Sequence, residues 1–181
     1  MADVRTQNTM SYSINIARER FSLWAACRAA QAGSAKAKRS ELIAALEACG
    51  VIEFLRDAEN HSISIERYDR EYEKWVIGVQ SHLEQVVKKP VMFGVAAKLV
   101  STYLKSVFLL GGFHDTPLSH HLTPPVDSIL LKGLDDAHGT NLTSTYKWQK
   151  LTRQDYLELL VTLRKFGGSG PVWHLEQYWK P

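Results

Sequence analysis

The sequence predicts an all-α protein, a single-domain helical bundle that spans residues 1–181. Apolar residues recur every three to four positions along most of the chain, which is the period of amphipathic helices. The one segment with strand-like alternation, residues 61–65, is too short to found a sheet and has no partner strand. Neither internal repeats nor strand–helix–strand alternation is found, so a helical bundle is the fold class that fits best.

The first predicted helix covers residues 14–32 and ends at Gly33, a residue type that commonly stops helices. Residues 1–10 precede it and are expected to form a frayed end, since they are polar and lack the apolar centre of a secretory signal. A second helix is predicted to begin at an N-cap on Ser40 and to end at Gly50.

A long helix is predicted over residues 66–89, because aromatic and aliphatic residues recur there at helical spacing and Pro90 disfavours continuation. Residues 90–94 are expected to form a turn, and the next helix to cover residues 95–110. This arrangement predicts a helix-hairpin-helix-like element. Residues 111–123, which are rich in glycine and polar residues, are interpreted as an inserted loop.

The last third of the chain is predicted to contain three helices. The first is short and covers residues 127–134. The second is capped by Thr152, with Asp155 three residues beyond the cap, a spacing typical of helix starts. The glycine-rich residues 167–170 end it, and a final helix carries the aromatic residues between 172 and 179.

Composition indicates an ordinary globular protein. The chain is 45% hydrophobic and 23% charged, its net charge is +3, and no apolar run approaches the 18 to 20 residues, roughly, of a membrane span. We therefore expect no membrane partner. A cytoplasmic location is expected because the two cysteines form no CxxC pair and are too few for a cluster. The charge is permissive for nucleic acid without being diagnostic. Cys27 and Cys49 lie among apolar residues and are expected to be buried thiols.

Several residues permit both a structural and a functional interpretation. Trp24 and Trp75 lie on apolar stripes and are expected in the core. Trp148, flanked by lysines, would either stack on a nucleic-acid base or cover the edge of the core, and the second interpretation is favoured. Four loop residues suggest a metal site, but adjacent histidines do not easily face one ion, so no metal is predicted; they are His114, Asp115, His120 and His121.

Lys98 and Asp127 are the residues whose chemistry is best suited to catalysis. A lysine just inside a helix start lies near the positive end of the helix macrodipole, which disfavours a second positive charge and favours the nucleophilic neutral amine. An aspartate directly after Pro124-Pro125-Val126 can be fixed by the rigid turn before it. The structural alternative is a solvated lysine and an ordinary helix cap.

The run Gly94-Val95-Ala96-Ala97-Lys98-x-x-Ser101 resembles the hairpin-to-helix junction of the helix-hairpin-helix DNA glycosylases of the oxoguanine type, and Pro125-Val126-Asp127 resembles the family's later Pro-Val-Asp. The resemblance implies that Lys98 attacks the sugar carbon as a Schiff-base nucleophile and that Asp127 is the essential carboxylate, with no cofactor. Ala96 stands where the family favours a second glycine, and the interval between the two residues is longer than usual.

Further site residues are expected around this pair. Contacts to a DNA phosphate backbone, with affinity that falls as salt rises, are predicted for Lys88, Lys89, Gly94 and Lys105. The alternative for the lysines is an ordinary charged helix end. In the family that the chain resembles, a late helix of Trp and Gln character lines the base pocket, which implies pocket roles for Gln177 and Trp179.

Two functions follow from these residues. The first is a DNA-binding enzyme of DNA repair, a base-excision glycosylase and lyase that extrudes a damaged base. The alternative is a non-enzymatic helical module that binds DNA or a protein partner through the hairpin and the aromatic C-terminal helix. The separation of Lys98 and Asp127 discriminates between them, because chemistry needs the two groups within about 6 Å at the mouth of a concave pocket.

Overall fold

The computed structural model describes residues 12–32 and 36–181, and within these residues the fold is all-α and contains no strand. The predicted frayed end and the predicted stop at Gly33 lie outside the described residues. The α-helices are α1 (Ile14–Ala32), α2 (Arg39–Ala48), α3 (Val51–Arg56), α4 (Ile65–Val87), α5 (Phe93–Leu104), α6 (Pro117–His121), α7 (Ser128–His138), α8 (Leu142–Thr145) and α9 (Arg153–Gly167). A π-helical stretch (Lys105–Phe113) and 3-10 turns (Ala58–Ser62, Trp148–Lys150 and Val172–Tyr178) complete the fold.

Helix α1 has the predicted bounds, but the face that it buries is not the expected one. Ala26, Cys27 and Ala30 are fully buried, and α1 packs mainly against α5 through such small residues. Trp24 is 46% exposed and Phe21 is 58% exposed. The prediction that Trp24 lies in the core was therefore wrong, because small side chains allow the two helices to approach closely and the bulky rings project outward.

Helix α2 begins two residues earlier than an N-cap at Ser40 would place it. The N-cap is Lys38, whose backbone N–H donates to Oε2 of Glu41 at 2.6 Å. The glutamate reaches back three residues to satisfy the first free amide, so it fixes the start of the helix and Ser40 lies inside it. Gly50 lies just beyond the end of α2, as predicted, with a φ of 87° that an L side chain rarely adopts.

The centre of the fold is formed by α4 and α5, which are joined by the short connection 88–92. Helix α4 buries Trp75, as predicted, and α5 is buried along almost its whole length. Of the strand-like residues 61–65, residues 61 and 62 end a 3-10 turn, residues 63 and 64 connect it to α4, and residue 65 is the first of that helix. Both cysteines are buried and free, as expected.

Helix α5 and the π-helical stretch after it form an apolar segment, Phe93–Phe113, of 21 residues, with a kink at Gly112, whose φ is 98°. The expectation that no apolar run approaches membrane length was wrong, because this segment continues through Lys98 and Lys105. By length and composition it is sufficient to cross a membrane, although 78% of its most apolar window is buried inside the protein. The predicted loop 111–123 also holds a short helix, α6, which Thr116 caps.

The C-terminal third follows the predicted pattern closely. Thr152 caps α9, and Asp155 accepts a hydrogen bond from the Thr152 backbone N–H in a capping box. Helix α7 begins after Asp127 and extends to His138, beyond the predicted end at residue 134. The predicted final helix is instead a 3-10 turn that leads to Trp179.

Candidate functional site

Lys98 of α5 and Asp127 at the start of α7 lie in direct contact. The Nζ of Lys98 is 3.2 Å from Oδ2 of Asp127, although the two residues are far apart in the chain. The lysine side chain is 9% exposed and the aspartate side chain 15% exposed. A charged pair that is this well buried must be held by other contacts, because the removal of two charges from water costs several kcal/mol for each ion.

Asp127 divides its two carboxylate oxygens between the fold and the site. Oδ1 accepts the backbone N–H groups of Ile129 at 3.0 Å and Leu130 at 2.9 Å, which makes Asp127 the N-cap of α7. Oδ2 faces Lys98 and also accepts the indole N–H of Trp179 at 3.1 Å. The cap therefore fixes the orientation of the carboxylate that meets the lysine.

The position of Lys98 differs from the predicted one in a way that changes its chemistry. Helix α5 begins at Phe93, so Lys98 lies in the second turn, where the influence of the macrodipole has largely fallen off. The helix dipole therefore has little influence on Lys98. The immediate surroundings of the Lys98 ammonium are the Asp127 carboxylate and the ring of Trp148, whose centroid is 4.1 Å from Nζ.

Trp148 has the structural role that the sequence favours. It is 8% exposed and covers the edge of the core. Its backbone also presses on α5, because a Cβ on Gly94 would lie 2.1 Å from the carbonyl oxygen of Trp148. The same ring thus packs the core and contacts the Lys98 ammonium.

A cavity of about 380 Å³ opens beside the pair. Lys98 and Asp127 contribute to one wall, and Phe21, Ala25 and Ala29 of α1 contribute to another. Its volume falls at the lower end of the range of ligand-binding pockets, about 300 to 1,000 Å³. The small alanine side chains of α1 leave this space open.

A second ion pair lines the same cavity. Lys105 contacts the carboxylate of Glu176, and both side chains are largely buried. Burial raises the pKa of Glu176, the charge of Asp127 acts in the same direction, and the contact with Lys105 opposes them. Sequence reasoning missed Glu176, although it is the one carboxylate within the aromatic C-terminal motif that runs from Trp173 to Trp179.

Two of the predicted phosphate contacts are engaged elsewhere. Lys105 is paired with Glu176. Gly94 is buried in the first turn of α5, and its N–H donates to the carbonyl of Leu151 at 3.1 Å. Because that amide has a protein acceptor, Gly94 does not present a free N–H to a phosphate. The expectation of an open hairpin amide at Gly94 was therefore wrong.

Of the remaining predicted residues, one lies at the candidate site and three lie away from it. Lys88 and Lys89 are exposed, and Lys89 lines a separate cavity of about 530 Å³ with Lys36 and Lys38. Trp179 lines the cavity of the Lys98–Asp127 pair, and its role toward a base stays a prediction. Gln177 is exposed and is not among the residues that line that cavity.

The histidine-rich segment is built into the fold by ordinary contacts. Nε2 of His121 is 3.2 Å from the carbonyl oxygen of Ile63, and Nε2 of His114 is 3.3 Å from its neighbour Asp115. Across residues 12–32 and 36–181, no group of three or more His, Cys, Asp or Glu residues is arranged to hold a metal ion. That the protein works without a metal stays a prediction.

Comparison of the chain with protein-family models, with curated proteins and with solved structures gives no significant match. The assignment of function therefore depends on the chemistry of the cavity.

Proposed function

We propose that this protein binds DNA and acts as a base-excision glycosylase and lyase, with Lys98 as nucleophile and Asp127 as its carboxylate partner. The observation that carries the proposal is the 3.2 Å contact between the two groups at the wall of a 380 Å³ cavity. The sequence left open whether the two groups lie close together at a pocket or whether Lys98 is simply solvated. A catalytic role requires the first arrangement. The resemblance of residues 94–101 and 125–127 to the oxoguanine glycosylases supplies the reaction class.

The proposed reaction begins with a proton transfer. The Lys98 ammonium gives a proton to the Asp127 carboxylate, which leaves a neutral amine with a free electron pair. That pair forms a bond to the sugar C1′ while the C1′–N bond to the base breaks, and the bonding pair leaves with the base, which takes up a proton. The bound nitrogen then loses a proton, and the pair that this frees forms the second C1′–N bond while the C1′–O4′ pair moves to the ring oxygen, which takes up a proton. The product is an iminium ion on Lys98.

The surroundings of the pair suit this role. Oδ2 of Asp127 is held toward Lys98 by the cap at Oδ1 and by the indole N–H of Trp179, so no reorientation is needed for the proton transfer. The half-enclosed cavity excludes much of the water that would compete for the reacting carbon. A nucleobase brought out of a duplex would enter at this cavity.

Borohydride trapping tests the proposal directly. Borohydride reduces an iminium ion to a stable amine, so the wild type should become covalently linked to a duplex that contains an abasic site or an oxoguanine. Lys98→Gln should abolish the adduct. Lys105→Gln is the matched control, because it removes a second lysine of the same cavity and should leave trapping intact.

Far-UV circular dichroism of each variant must show the wild-type helical content. Folded wild-type protein that binds the duplex and gives no adduct would refute the lyase proposal. Equal loss in the Lys98→Gln and Lys105→Gln variants would refute the assignment of the nucleophile.

The second candidate function is the non-enzymatic helical module. It is favoured by the saturation of the ion pair: Asp127 accepts four N–H donors, and the ammonium of Lys98 is also covered by Trp148. An ion pair whose groups all have hydrogen-bond or aromatic partners can have a purely structural role. Strong DNA binding without trapping would support this candidate.

A further inference from the structure

The outward face of α1 carries an arrangement that the sequence did not indicate. Arg20, Trp24 and Arg28 are exposed and follow one another at intervals of one helical turn, and Phe21 is exposed beside them. The rings of Phe21 and Trp24 are in contact, with centroids 5.7 Å apart and planes 37° apart. We call this surface, formed by Arg20, Phe21, Trp24 and Arg28, the α1 face.

The charge of the α1 face has one sign. The one acidic residue of α1 is Glu19, and its carboxylate accepts a hydrogen bond from the Tyr103 hydroxyl at 2.9 Å. The guanidinium of Arg20 lies over the ring of Tyr12, and neither Arg20 nor Arg28 forms an ion pair with the described residues. Two arginines that flank exposed aromatic rings are complementary to a ligand with phosphates and flat bases.

The α1 face is continuous with the cavity of the Lys98–Asp127 pair. Phe21 belongs to both, since its ring contacts Trp24 and its side chain lines the cavity. On the cavity wall it is followed by Ala25 and Ala29 of the same helix. A strand that placed one base in the cavity would therefore meet aromatic rings at the rim.

We propose that the α1 face binds single-stranded DNA, with unpaired bases stacked on Phe21 and Trp24 and phosphates bound by Arg20 and Arg28. The inference rests on the proposed function only in taking DNA as the partner, since it requires neither a nucleophile nor a damaged base.

Fluorescence anisotropy with a labelled single-stranded oligothymidylate tests the stacking part. Phe21→Ala and Trp24→Ala should each weaken binding about fivefold or more, the effect of losing one stacked base. Trp24→Phe keeps an aromatic surface and should retain most of the affinity. Val161→Ala on α9 is the matched control, because it truncates another exposed apolar side chain and should change nothing.

The salt dependence tests the phosphate part. The measured quantity is the slope of the logarithm of the binding constant against the logarithm of the salt concentration. In the double variant Arg20→Gln and Arg28→Gln this slope should become shallower by about 1.4, because two phosphate contacts to a single strand are lost. Arg70→Gln on α4 removes one exposed arginine that is not part of the α1 face, and it should leave the slope unchanged.

The outcomes separate this inference from the proposed function. Aromatic-dependent binding of oligothymidylate without a borohydride adduct would support the α1 face and refute the lyase. An adduct through Lys98 together with unchanged affinity in the Phe21 and Trp24 variants would refute the α1 face alone. A dimer that dissociates in those variants, without an effect on DNA binding, would show that a second copy of the chain covers the face and would overturn the inference.

Discussion

The indole N–H of Trp179 donates a hydrogen bond to Oδ2 of Asp127 over a distance of 3.1 Å. The contact ties the end of the chain to the start of α7 and places Trp179 at the cavity of Lys98. The same oxygen accepts a hydrogen bond from the lysine. The C-terminal segment is therefore part of the candidate site and not only a cover for the core.

Trp179→Phe should lower the free energy of unfolding by about 1 kcal/mol, because it removes one hydrogen-bond donor to a carboxylate and keeps the aromatic ring. Urea denaturation measures the change. Trp173→Phe is the control: the buried indole nitrogen of Trp173 has no acceptor among the described residues, so its removal should cost little or nothing. A larger loss for Trp173→Phe than for Trp179→Phe would contradict this account.

The ion pair at the cavity should show strong energetic coupling. We expect Lys98→Met or Asp127→Asn alone to lower the free energy of unfolding by about 3 kcal/mol or more, since each leaves a buried charge without its partner. The double variant should lose less than the sum, with a coupling energy of about 1 to 3 kcal/mol.

The exposed pair of Arg153 and Glu73 provides the comparison for that double-mutant cycle, because the Arg153 side chain is 53% exposed. Its coupling energy should be no more than about 1 kcal/mol. Equal coupling in the two pairs would mean that the Lys98–Asp127 contact is screened by solvent as a surface pair is, and would refute the predicted effect of burial.

Gly94→Ala should destabilise the protein by about 3 kcal/mol, because the new methyl group would overlap the backbone carbonyl of Trp148 and a backbone atom cannot move aside cheaply. Gly167→Ala in α9 meets no atom closer than 3.6 Å and should be neutral or slightly stabilising. Thermal or urea unfolding of both variants measures the contrast. Similar stabilities would show that the segment around Trp148 is free to shift.

Glu176 should give the protein a measurable pH dependence. Burial raises the pKa of this carboxyl, so the folded state holds its proton more tightly than the unfolded state does. Its contribution to the free energy of unfolding is fully present below 4.5, the ordinary value, and is lost as the pH rises through the raised folded pKa. Glu176→Gln does not titrate, so its stability relative to the wild type should increase over that window.

Parallel urea titrations of the wild type and of Glu176→Gln across the acidic range measure that difference. Substitution of the carboxyl also alters the contact with Lys105. This changes the size of the stability difference between the two proteins at higher pH, but the difference should still shift in favour of Glu176→Gln as the pH rises. If the stability of Glu176→Gln relative to the wild type stays constant, or decreases as the pH rises, burial does not disfavour the ionised form of Glu176.

Much of the fold could be predicted from local signals. The bounds of α1, the capping box at Thr152 and Asp155, and the burial of Trp75 follow from spacing and from cap chemistry, which depend on neighbours within a few residues. Ser40 and Trp24 were predicted wrongly. The N-cap of α2 is Lys38 and not Ser40, and Trp24 lies on a face of α1 that no other helix among the described residues covers.

In the candidate site, too, some features follow from local sequence and others from the packing of the helices. The sequence determined the all-α class and pointed to Lys98 and Asp127 as candidate reactive groups, since residue type and turn chemistry are local properties. Only the tertiary structure decided that these two meet, that Glu176 and Trp179 join them, and that the amide of Gly94 is occupied. Contacts across dozens of residues depend on how whole helices pack, and helix packing is set by the summed shape of many side chains, which local periodicity does not record.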